Sequence, residues 1–583
     1  MIRLLRRITM FANYTITKKR FLPNKADVII VALILIVSTL AYYAWSDMHQ
    51  AFIDASSVSA ISLDPSHLPY YMLRTTMRLI IGMIFSLIFA LIVGYACAKN
   101  KHFARVCLPI INFLESAPLL GFLTFTTAFF IFLFPHSIMG LEAAAIFGIF
   151  TSQAWNIALI LYQTIRIVPA ELTEAATAFK LNAWQRFWKI ELPYSVPGLL
   201  WNIMVSQSAA WFAITASEAI PTITGDVSLP GIGSYIALGL TDSNIIAIFF
   251  YALVAIIINI VLFDQLLFRP LVKWSEKFKY ESINNKTIDN PWLYRSYKKS
   301  QLVNAIKPIF STIVFWLING ASFLNKKINL KSPTRDIKIL KKLSCTAWYI
   351  VIISACVWAG NALWHFFPDG DMSYLIPLMI ETTVRVTIAM MISVAICTPL
   401  GIWIGMSSKR TKAIQPIIQI GAAIPQPIFF PIVAVLILAG DGSLNVWCIP
   451  LIMTGTSCYV LFNVISGFSN LPTEIIEMTK SFHLKGLKWW FKFAIPAVFP
   501  YIVCGIISAA GGAWNSAIAA ELVIWGSNTI KVDGIGALVS TTANNQLHDA
   551  ALAVVALCSL VALCIIFIWK PLYKLAETKY KCN

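Results

Sequence analysis

Two polar stretches stand out in an apolar chain: ELTEAATAFKLNAWQRFWKIELP at residues 171–193 and EIIEMTKSFHLKGLKWWFKFAIP at residues 474–496. Each contains six charged residues, although only 12% of the 583 residues are charged and 58% are hydrophobic. Such a composition is typical of a membrane protein with many spans. The two stretches are therefore expected to lie in water outside the bilayer, and their likeness indicates an internal duplication.

Apolar runs on either side of these stretches are long enough to cross a bilayer, which takes roughly 20 helical residues. The predicted spans are residues 28–45, 70–98, 106–134, 143–166, 197–221, 243–268, 345–365, 375–406, 414–438, 446–468, 497–525 and 548–569. We interpret the first run as a retained span, because it lacks a small-residue cleavage site. The sequence thus predicts an all-α polytopic protein with about 12 transmembrane helices. Six spans lie in residues 1–268 and six in residues 345–583, joined by a basic linker at residues 269–344.

The distribution of basic residues predicts the orientation, because Lys and Arg collect on the cytoplasmic side of a membrane. With the N-terminus inside, 41 of the 45 Lys and Arg residues fall in the two tails, the cytoplasmic loops or the linker. Both termini and both polar stretches are then cytoplasmic. The net charge of +18 reflects this orientation and contact with lipid headgroups. We therefore expect membrane lipids, and no nucleic acid, as partners.

One apolar segment, residues 309–324, does not fit the series of spans. It has 16 residues and is flanked by basic residues on both sides. This pattern favours a helix that lies at the membrane interface. The alternative, a further crossing, would invert the second half of the chain.

The two halves align at a constant offset of 303 residues over a long stretch, and at 307 residues upstream of it. The pairs at the first offset include Pro169/Pro472, Glu171/Glu474, Glu174/Glu477, Phe179/Phe482, Lys189/Lys492, Trp211/Trp514, Glu218/Glu521, Gly231/Gly534 and Gly233/Gly536. At the second offset Arg78 pairs with Arg385 and Pro118 with Pro425. Six spans per half give both repeats the same orientation, and parallel repeats of this kind place a pathway between the halves.

Prolines bound each polar stretch and predict its local structure. Proline is favoured in the first turn of a helix and breaks a helix interior. Each stretch is therefore expected to form two short helices on the cytoplasmic face, the second ending at Pro193 or Pro496. Glu171 and Glu174 fall in a first turn, where the helix dipole favours negative charge.

These residues resemble the EAA loop of the permease subunits of bacterial ABC importers. That motif has Glu-Ala-Ala, a glycine four positions later and a terminal Leu-Pro. Glu174-Ala175-Ala176 and Leu192-Pro193 match it, and the second copy is degenerate, with Glu477-Met478-Thr479 and Ile495-Pro496. The likeness extends along both halves. TTMRLIIGMIFSLIFALIVGYACAKN and AWFAITASEA, with their second-half counterparts, are similar to nitrate, sulfonate and bicarbonate-type permeases.

One departure from the family motif concerns the turn between the two helices of each loop. The family's glycine position holds Lys180 in the first copy and His483 in the second. This departure leaves the shape of the turn open, but the expected placement of the loop is unchanged.

The resemblance implies a duplicated, fused permease with two tandem six-helix domains of the type I, MetI-like kind. In that family the first helix of the loop docks in a cleft on the ATPase. The residues to which it assigns ATPase coupling are Glu171, Glu174, Ala175, Ala176, Lys180, Glu474, Glu477 and His483. The chain has no GxxxxGK[ST] phosphate loop. It is therefore expected to be no enzyme itself and to bind no cofactor.

The expected partners follow from the same resemblance. Two copies of a cytoplasmic ATPase subunit would use ATP and Mg²⁺, and a periplasmic or lipid-anchored binding protein would deliver the solute. The expected location is the bacterial inner membrane, with a small anion as the cargo. Eleven scattered cysteines without a CxxC pair predict no metal site.

Charged and aromatic residues inside the spans are candidates for the solute pathway, because a buried charge in a membrane needs a reason. The candidates are Arg78, Arg385, Glu115, Trp211, Glu218, Trp514 and Glu521. For the arginines the alternatives are snorkelling or a structural ion pair, since Glu381 precedes Arg385 by four residues. For Glu218 and Glu521 the alternatives are an external gate, a docking point for the binding protein, or hydrogen bonds that hold the following loop. Glu115 has Ala422 as its counterpart, and its alternative is a simple polar contact.

Three other functions remain open on the sequence. The first is an ABC permease for an osmoprotectant or amino acid, which would share the fold. The second is a secondary transporter driven by an ion gradient, and the third is a membrane scaffold without a cargo. The two polar loops favour the ABC permease, and the sequence does not name the solute.

Overall fold

A computed structural model describes the backbone of residues 24–48, 61–135, 137–219, 229–278, 292–301, 374–440, 442–469, 473–483, 485–542 and 547–569, with a few isolated positions besides. The predicted interfacial helix at residues 309–324 and the predicted span at residues 345–365 lie almost entirely outside the described residues. The linker is described in residues 269–278 and 292–301.

Helices make up almost all of the described first half and its linker. They are α1 (Lys25–Met48), a 3-10 turn at Pro65–His67, α2 (Leu68–Lys99), α3 (Lys101–Ser116), α4 (Leu119–Leu133), α5 (Met139–Arg166), α6 (Ala170–Ala178), α7 (Ala183–Ala219), α8 (Ile232–Thr241), α9 (Ala247–Phe278) and α10 (Trp292–Lys299).

The described second half repeats this order and adds one short hairpin. Its elements are α11 (Leu375–Gly405), α12 (Ser408–Ala423), α13 (Gln426–Leu438), α14 (Leu444–Ser469), α15 (Thr473–Ser481), α16 (Leu487–Ala520), β1 (Leu522–Trp525), β2 (Asn528–Lys531), α17 (Ile535–Thr542) and α18 (Leu547–Cys564, with a π-turn at Ile565–Trp569). The predicted all-α polytopic fold is confirmed, and α5, α6 and α7 correspond to α14, α15 and α16.

Eight helices in the described residues are long and apolar enough to cross a membrane, and two bent pairs raise the number to ten. The predicted spans at residues 106–134 and 414–438 are not single continuous helices. Each is a pair of helices, bent by 95° between α3 and α4 and by 86° between α12 and α13. Ala117 and Ile424 have extended backbones before Pro118 and Pro425, and a residue before proline is disfavoured in a helix.

The loop prolines do not end a helix, contrary to the expectation at Pro193 and Pro496. α7 and α16 run through these positions without a break. A π-turn precedes each proline, at Phe187–Glu191 and at Trp490–Ala494. The wider turn accommodates the missing proline N–H within a continuous helix. The second helix of each polar stretch is therefore the start of a long membrane helix.

Three helices form the centre of each half, and small residues let them approach closely. In the first half α5 packs against α2 and α7, and in the second α14 packs against α11 and α16. A Cβ atom at Gly94 would lie 2.8 Å from the Ala158 carbonyl oxygen, and one at Gly401 would lie 2.8 Å from Val464. Glycine at these aligned positions therefore sets the distance between the helices.

The two halves contact each other through long helices and through the hairpin. α12 packs against α7, and α4 packs against α16. In the hairpin Leu522 pairs with Lys531 and Trp525 with Asn528, in antiparallel register. Its turn residue Gly526 has φ +61° and donates its N–H to the Leu240 carbonyl at 2.8 Å. The second half thus reaches across to α8 of the first.

Candidate functional site

The two polar loops present similar short helices. In α6 the side chains of Glu171 and Glu174 are exposed, Ala175 is half-buried and Ala176 is buried, and Lys180 just after the helix is exposed. In α15 Glu477 is exposed, as is His483 just after it, and Glu474 lies in the helix without a described side chain. The last large residue of each loop helix is also exposed, Phe179 at 78% and Phe482 at 70%. Acidic and aromatic groups are thus available to a partner on both loops.

The turn after each loop helix contains a residue in the left-handed conformation that glycine adopts readily. Lys180 and His483 both have φ 50°, in the left-handed region. In the first loop the Leu181 N–H donates to the Ala176 carbonyl at 3.0 Å, and the Lys180 N–H to the Thr177 carbonyl at 2.9 Å. This is a Schellman motif, which satisfies the free carbonyls of a helix end. Lys180 and His483 replace the glycine of the family motif, and both still adopt a left-handed backbone.

An ionic cluster fixes the first loop to the membrane helices. The carboxylate of Glu191, buried in the π-turn of α7, lies 2.5 Å from Lys99 Nζ and 2.7 Å from Arg186 Nε. Lys99 is the last residue of α2, so the cluster connects α2 with the start of α7. The buried carboxylate is stabilised by one charge-assisted hydrogen bond, from Lys99, and by the nearby positive charge of Arg186.

The second loop has an apolar arrangement at the same positions. The counterparts of Lys99, Arg186 and Glu191 are Met406, Trp489 and Ala494. The Trp489 ring lies 5.4 Å from Trp490 and 6.3 Å from Phe468, measured between centroids. The second loop is thus held by aromatic packing, and the two loops differ in what fixes them.

Replacing Glu191 with alanine is expected to loosen the first loop and leave the second unchanged. The change costs about 1–2 kcal/mol, because water can solvate the half-exposed Lys99 and Arg186 that remain. Hydrogen exchange should become faster in residues 183–191, with residues 487–494 as the control in the same molecule. Equal exchange in both proteins would contradict the role of the cluster.

A second buried cluster lies at the other end of α2 and is made of four charged side chains. Arg78 Nε lies 2.5 Å from Glu142, and its Nη1 lies 2.6 Å from Glu218 and 2.9 Å from the Pro230 carbonyl. Arg74 also pairs with Glu142, at 2.5 Å. All four side chains are at most 3% exposed. Two arginines therefore balance two carboxylates within the described residues of this cluster, as a buried ion network requires.

Glu218 also holds the first turn of α8. Its carboxylate accepts hydrogen bonds from the Gly233 N–H at 2.8 Å and from Thr75 Oγ1 at 2.8 Å. Thr75 Oγ1 in turn accepts from the Ile232 N–H at 3.1 Å. A Cβ atom at Gly231 would overlap the Glu218 carboxylate. Glycine is needed here because the backbone approaches the carboxylate closely.

The second half contains the same arrangement around Glu521. Its carboxylate accepts from Thr382 Oγ1 at 2.8 Å, from the Gly536 N–H at 2.8 Å and from Arg385 Nη1 at 2.9 Å. The Ile535 N–H donates to Thr382 Oγ1 at 3.0 Å. The duplicated sequence therefore builds the same carboxylate-centred loop anchor twice.

The two anchors differ in their charges. Glu381 stands at the position of Arg74, and Asn445 at the position of Glu142. Arg385 Nη2 donates to both, at 2.8 Å to Glu381 and at 2.7 Å to Asn445. Glu381 is 48% exposed. The second anchor is thus open to solvent on one side, whereas the first is closed.

The structure separates the candidate pathway residues into three places. Two arginines and two glutamates lie in the two anchors: Arg78, Arg385, Glu218 and Glu521. Their contacts match the structural alternatives, an ion pair for each arginine and hydrogen bonds to the following segment for each glutamate. Trp211 and Trp514 are buried in the core, at 1% and 3% exposure. Glu115 faces a cavity between the halves. The pathway roles remain predictions.

That cavity has a volume of about 110 Å³ and lies where the two repeats meet. Residues at equivalent positions of both halves line it: Thr151/Thr454, Ser152/Gly455, Trp155/Cys458, Asn156/Tyr459, Ser208/Gly511, Phe212/Asn515 and Glu115/Ala422. The Ser208 and Tyr459 hydroxyls lie 3.3 Å apart across the boundary of the halves. The cavity therefore surrounds the axis that relates the repeats, the place expected for a pathway.

Sequence reasoning missed Arg74, Glu142, Thr75 and Thr382 as members of the anchors. Glu142 is the one carboxylate of α5, and Thr75 and Thr382 are aligned residues in the paired sequences TTMR and TTVR. Both are signals that could have identified them. The contacts themselves join residues that are 64 to 157 positions apart, so the sequence could not pair them.

Two like-oriented helical repeats around a central polar cavity define a membrane permease. The chain belongs to the family described as the binding-protein-dependent transport system inner membrane component, which matches residues 86–264 and 397–581. The predicted class is therefore confirmed: the chain is the multi-pass permease component of an ABC transporter and is not itself an enzyme.

Individual relatives carry different names. The chain is 28% identical over 278 residues to an ABC transporter permease protein of Methanocaldococcus jannaschii, covering 44% of this chain and all of that protein. It is 30% identical over 155 residues to the bicarbonate transport system permease protein CmpB of Synechocystis sp., covering 26% of this chain and 52% of CmpB. It is 27% identical over 158 residues to the glycine betaine/proline betaine transport system permease protein ProW of Escherichia coli, covering 27% and 44%.

Proposed function

We propose that this chain forms the translocation pathway of an ABC importer for a small solute, and that separate ATPase subunits drive it through the two polar loops. The observation that carries the proposal is that α6 and α15 occupy equivalent positions in the two repeats and that both present exposed side chains. A cavity lies on the axis between those repeats.

The loop surfaces have the chemistry of a docking site. Phe179 and Phe482 are large apolar side chains that are mostly exposed beside the exposed carboxylates Glu174 and Glu477. Exposed aromatic residues with a polar rim mark protein interfaces. Because both loops lie in one chain, one permease would bind two copies of a cytoplasmic ATPase, which use ATP and Mg²⁺.

The proposed cycle is a shift between two packings of the halves. ATP binding closes the ATPase pair and draws α6 and α15 together, so that the pathway opens outward. A periplasmic or lipid-anchored binding protein then delivers the solute, and hydrolysis restores the inward-facing state. The proposed location is the bacterial inner membrane with both termini in the cytoplasm, which the basic residues support.

Two cargo classes are candidates. A small anion is supported by the sequence resemblance to nitrate, sulfonate and bicarbonate-type permeases and by the match to a bicarbonate permease. An osmoprotectant is supported by the match to a betaine permease, which extends over a similar number of residues as the match to the bicarbonate permease. Both candidates use the same fold and the same coupling loops.

Replacing Glu174 or Glu477 with lysine is expected to weaken ATPase binding by about 10-fold at the altered loop, because it reverses a charge beside the proposed contact. Binding of the purified ATPase, and ATP-driven uptake of labelled nitrate or glycine betaine in proteoliposomes, would be measured. Asp242→Lys is the matched control, since Asp242 is an exposed acid outside both loops. ATPase binding and uptake that survive in the Glu174→Lys, Glu477→Lys double variant would contradict the coupling role.

A further inference from the structure

The charge of the central cavity distinguishes between the cargo classes. Glu115 is the single charged side chain among the described residues that line it. It lies at the end of α3, one residue before the last residue of that helix, and is half-buried. Within the described part of the chain its carboxylate has no hydrogen-bond or ion-pair partner. A carboxylate without a counter-ion at the wall of a cavity in a membrane protein needs a functional reason.

The rest of the wall is neutral. Hydroxyl and amide groups of both halves line the cavity, among them Ser206, Asn156 and Asn515. Aromatic rings lie between them: Phe122, Trp155, Phe212 and Tyr459. An aromatic face attracts a cation and repels an anion through its quadrupole. The aromatic rings and the Glu115 carboxylate therefore both favour a positively charged solute.

Helix dipoles do not reverse this preference. The C-terminal end of α3 and the N-terminal end of α4 meet at the same bend beside the cavity, and α12 and α13 do so on the other side. Opposite dipole ends, each equivalent to about half a charge, largely cancel there. The carboxylate of Glu115 is therefore the group that sets the sign of the field in the cavity.

We propose that Glu115 is the counter-ion for a positively charged group of the transported solute, a quaternary ammonium or an amine, with Trp155 and Tyr459 beside it. The inference rests on the proposed permease function and deepens it by naming the substrate class. A free anion such as nitrate or bicarbonate meets a like charge in the same place. The equivalent residue of the second half is Ala422, so the pathway carries this charge on one side only.

The test uses the purified full-length chain in lipid nanodiscs, with choline as the cationic probe and nitrate as the anionic one. Wild type is expected to bind choline and not nitrate. Glu115→Gln, which keeps the size of the side chain, should lower choline affinity by about 10-fold or more. The double variant Glu115→Ala, Ala422→Glu moves the carboxylate to the equivalent position and should recover part of the affinity.

Each other result overturns the inference. Choline affinity that is unchanged in Glu115→Gln, nitrate binding by wild type, or no choline binding by a folded wild-type chain would each do so. ATPase binding to the two loops is measured on the same preparation and does not depend on the cargo. If the wild-type chain shows no preference for choline over nitrate but still binds the ATPase, this inference alone is refuted. If it does not bind the ATPase, the proposed function is refuted.

Discussion

Replacing Arg78 with methionine is expected to destabilise the protein by about 3–5 kcal/mol, the typical cost of breaking a buried ion pair by removing one partner. Arg78 is fully buried and bonds both Glu142 and Glu218. Methionine fills a similar volume but leaves Glu218 with neutral donors only. Thermal unfolding in detergent, followed by the loss of helical signal, would measure the effect.

Arg385→Met is the matched control in the second half. Arg385 occupies the equivalent position and also pairs with a buried carboxylate, Glu521. Its second partner Glu381 is half-exposed, however, so water can solvate that part of the charge that is left. The expected cost is therefore smaller, about 1–3 kcal/mol. The double variant Arg78→Met, Glu218→Gln removes the unpaired charge and should recover part of the lost stability. Equal unfolding temperatures for wild type and Arg78→Met would show that the first anchor does not stabilise the fold.

Replacing Gly233 with alanine is expected to cost about 3 kcal/mol by overpacking. A Cβ atom there would overlap the Thr215 carbonyl oxygen and lie 2.9 Å from Glu218 Cβ. Neither atom can move freely, because Thr215 is buried in the last part of α7 and Glu218 is fixed by Arg78. The new methyl group would also lengthen the hydrogen bond from the Gly233 N–H to Glu218.

Gly421→Ala is the control for this change. Gly421 lies in α12, and a Cβ atom there has nothing within 4 Å. Alanine is favoured over glycine in a helix by about 1 kcal/mol, so this variant should be as stable as wild type or slightly more so. Unfolding temperatures would be compared under the same conditions. If Gly233→Ala and Gly421→Ala unfold at the same temperature, glycine is not needed at position 233 for the close approach of the backbone to Glu218.

The duplication explains why so much of the fold could be predicted. The aligned offsets placed α5, α6 and α7 opposite α14, α15 and α16, and in the structure these helices correspond. A change of offset from 307 to 303 residues falls between Pro118 and Met139, where α4 in the first half is longer than its counterpart. Hydrophobic length and repeat spacing are local properties, and the sequence carries them directly.

Local geometry at the prolines was harder to predict. Pro118 and Pro425 bend a predicted span into two helices, whereas Pro193 and Pro496 lie inside helices that continue. The same residue type gives opposite results because a π-turn precedes the second pair. Whether the chain can form that wider turn depends on the helices packed around it, which a local pattern does not contain.

The amino-acid sequence by itself determined the class of protein: a duplicated, all-helical membrane chain with two polar loops on one side. It did so because composition, length and repetition are written along the chain. Only the tertiary structure decided that Arg78 and Glu218 form a closed anchor, that Lys180 and His483 keep a left-handed turn, and that Glu115 faces the axis between the halves. These features join residues far apart in sequence, and a charge acquires its role from the groups that folding brings within a few ångströms of it.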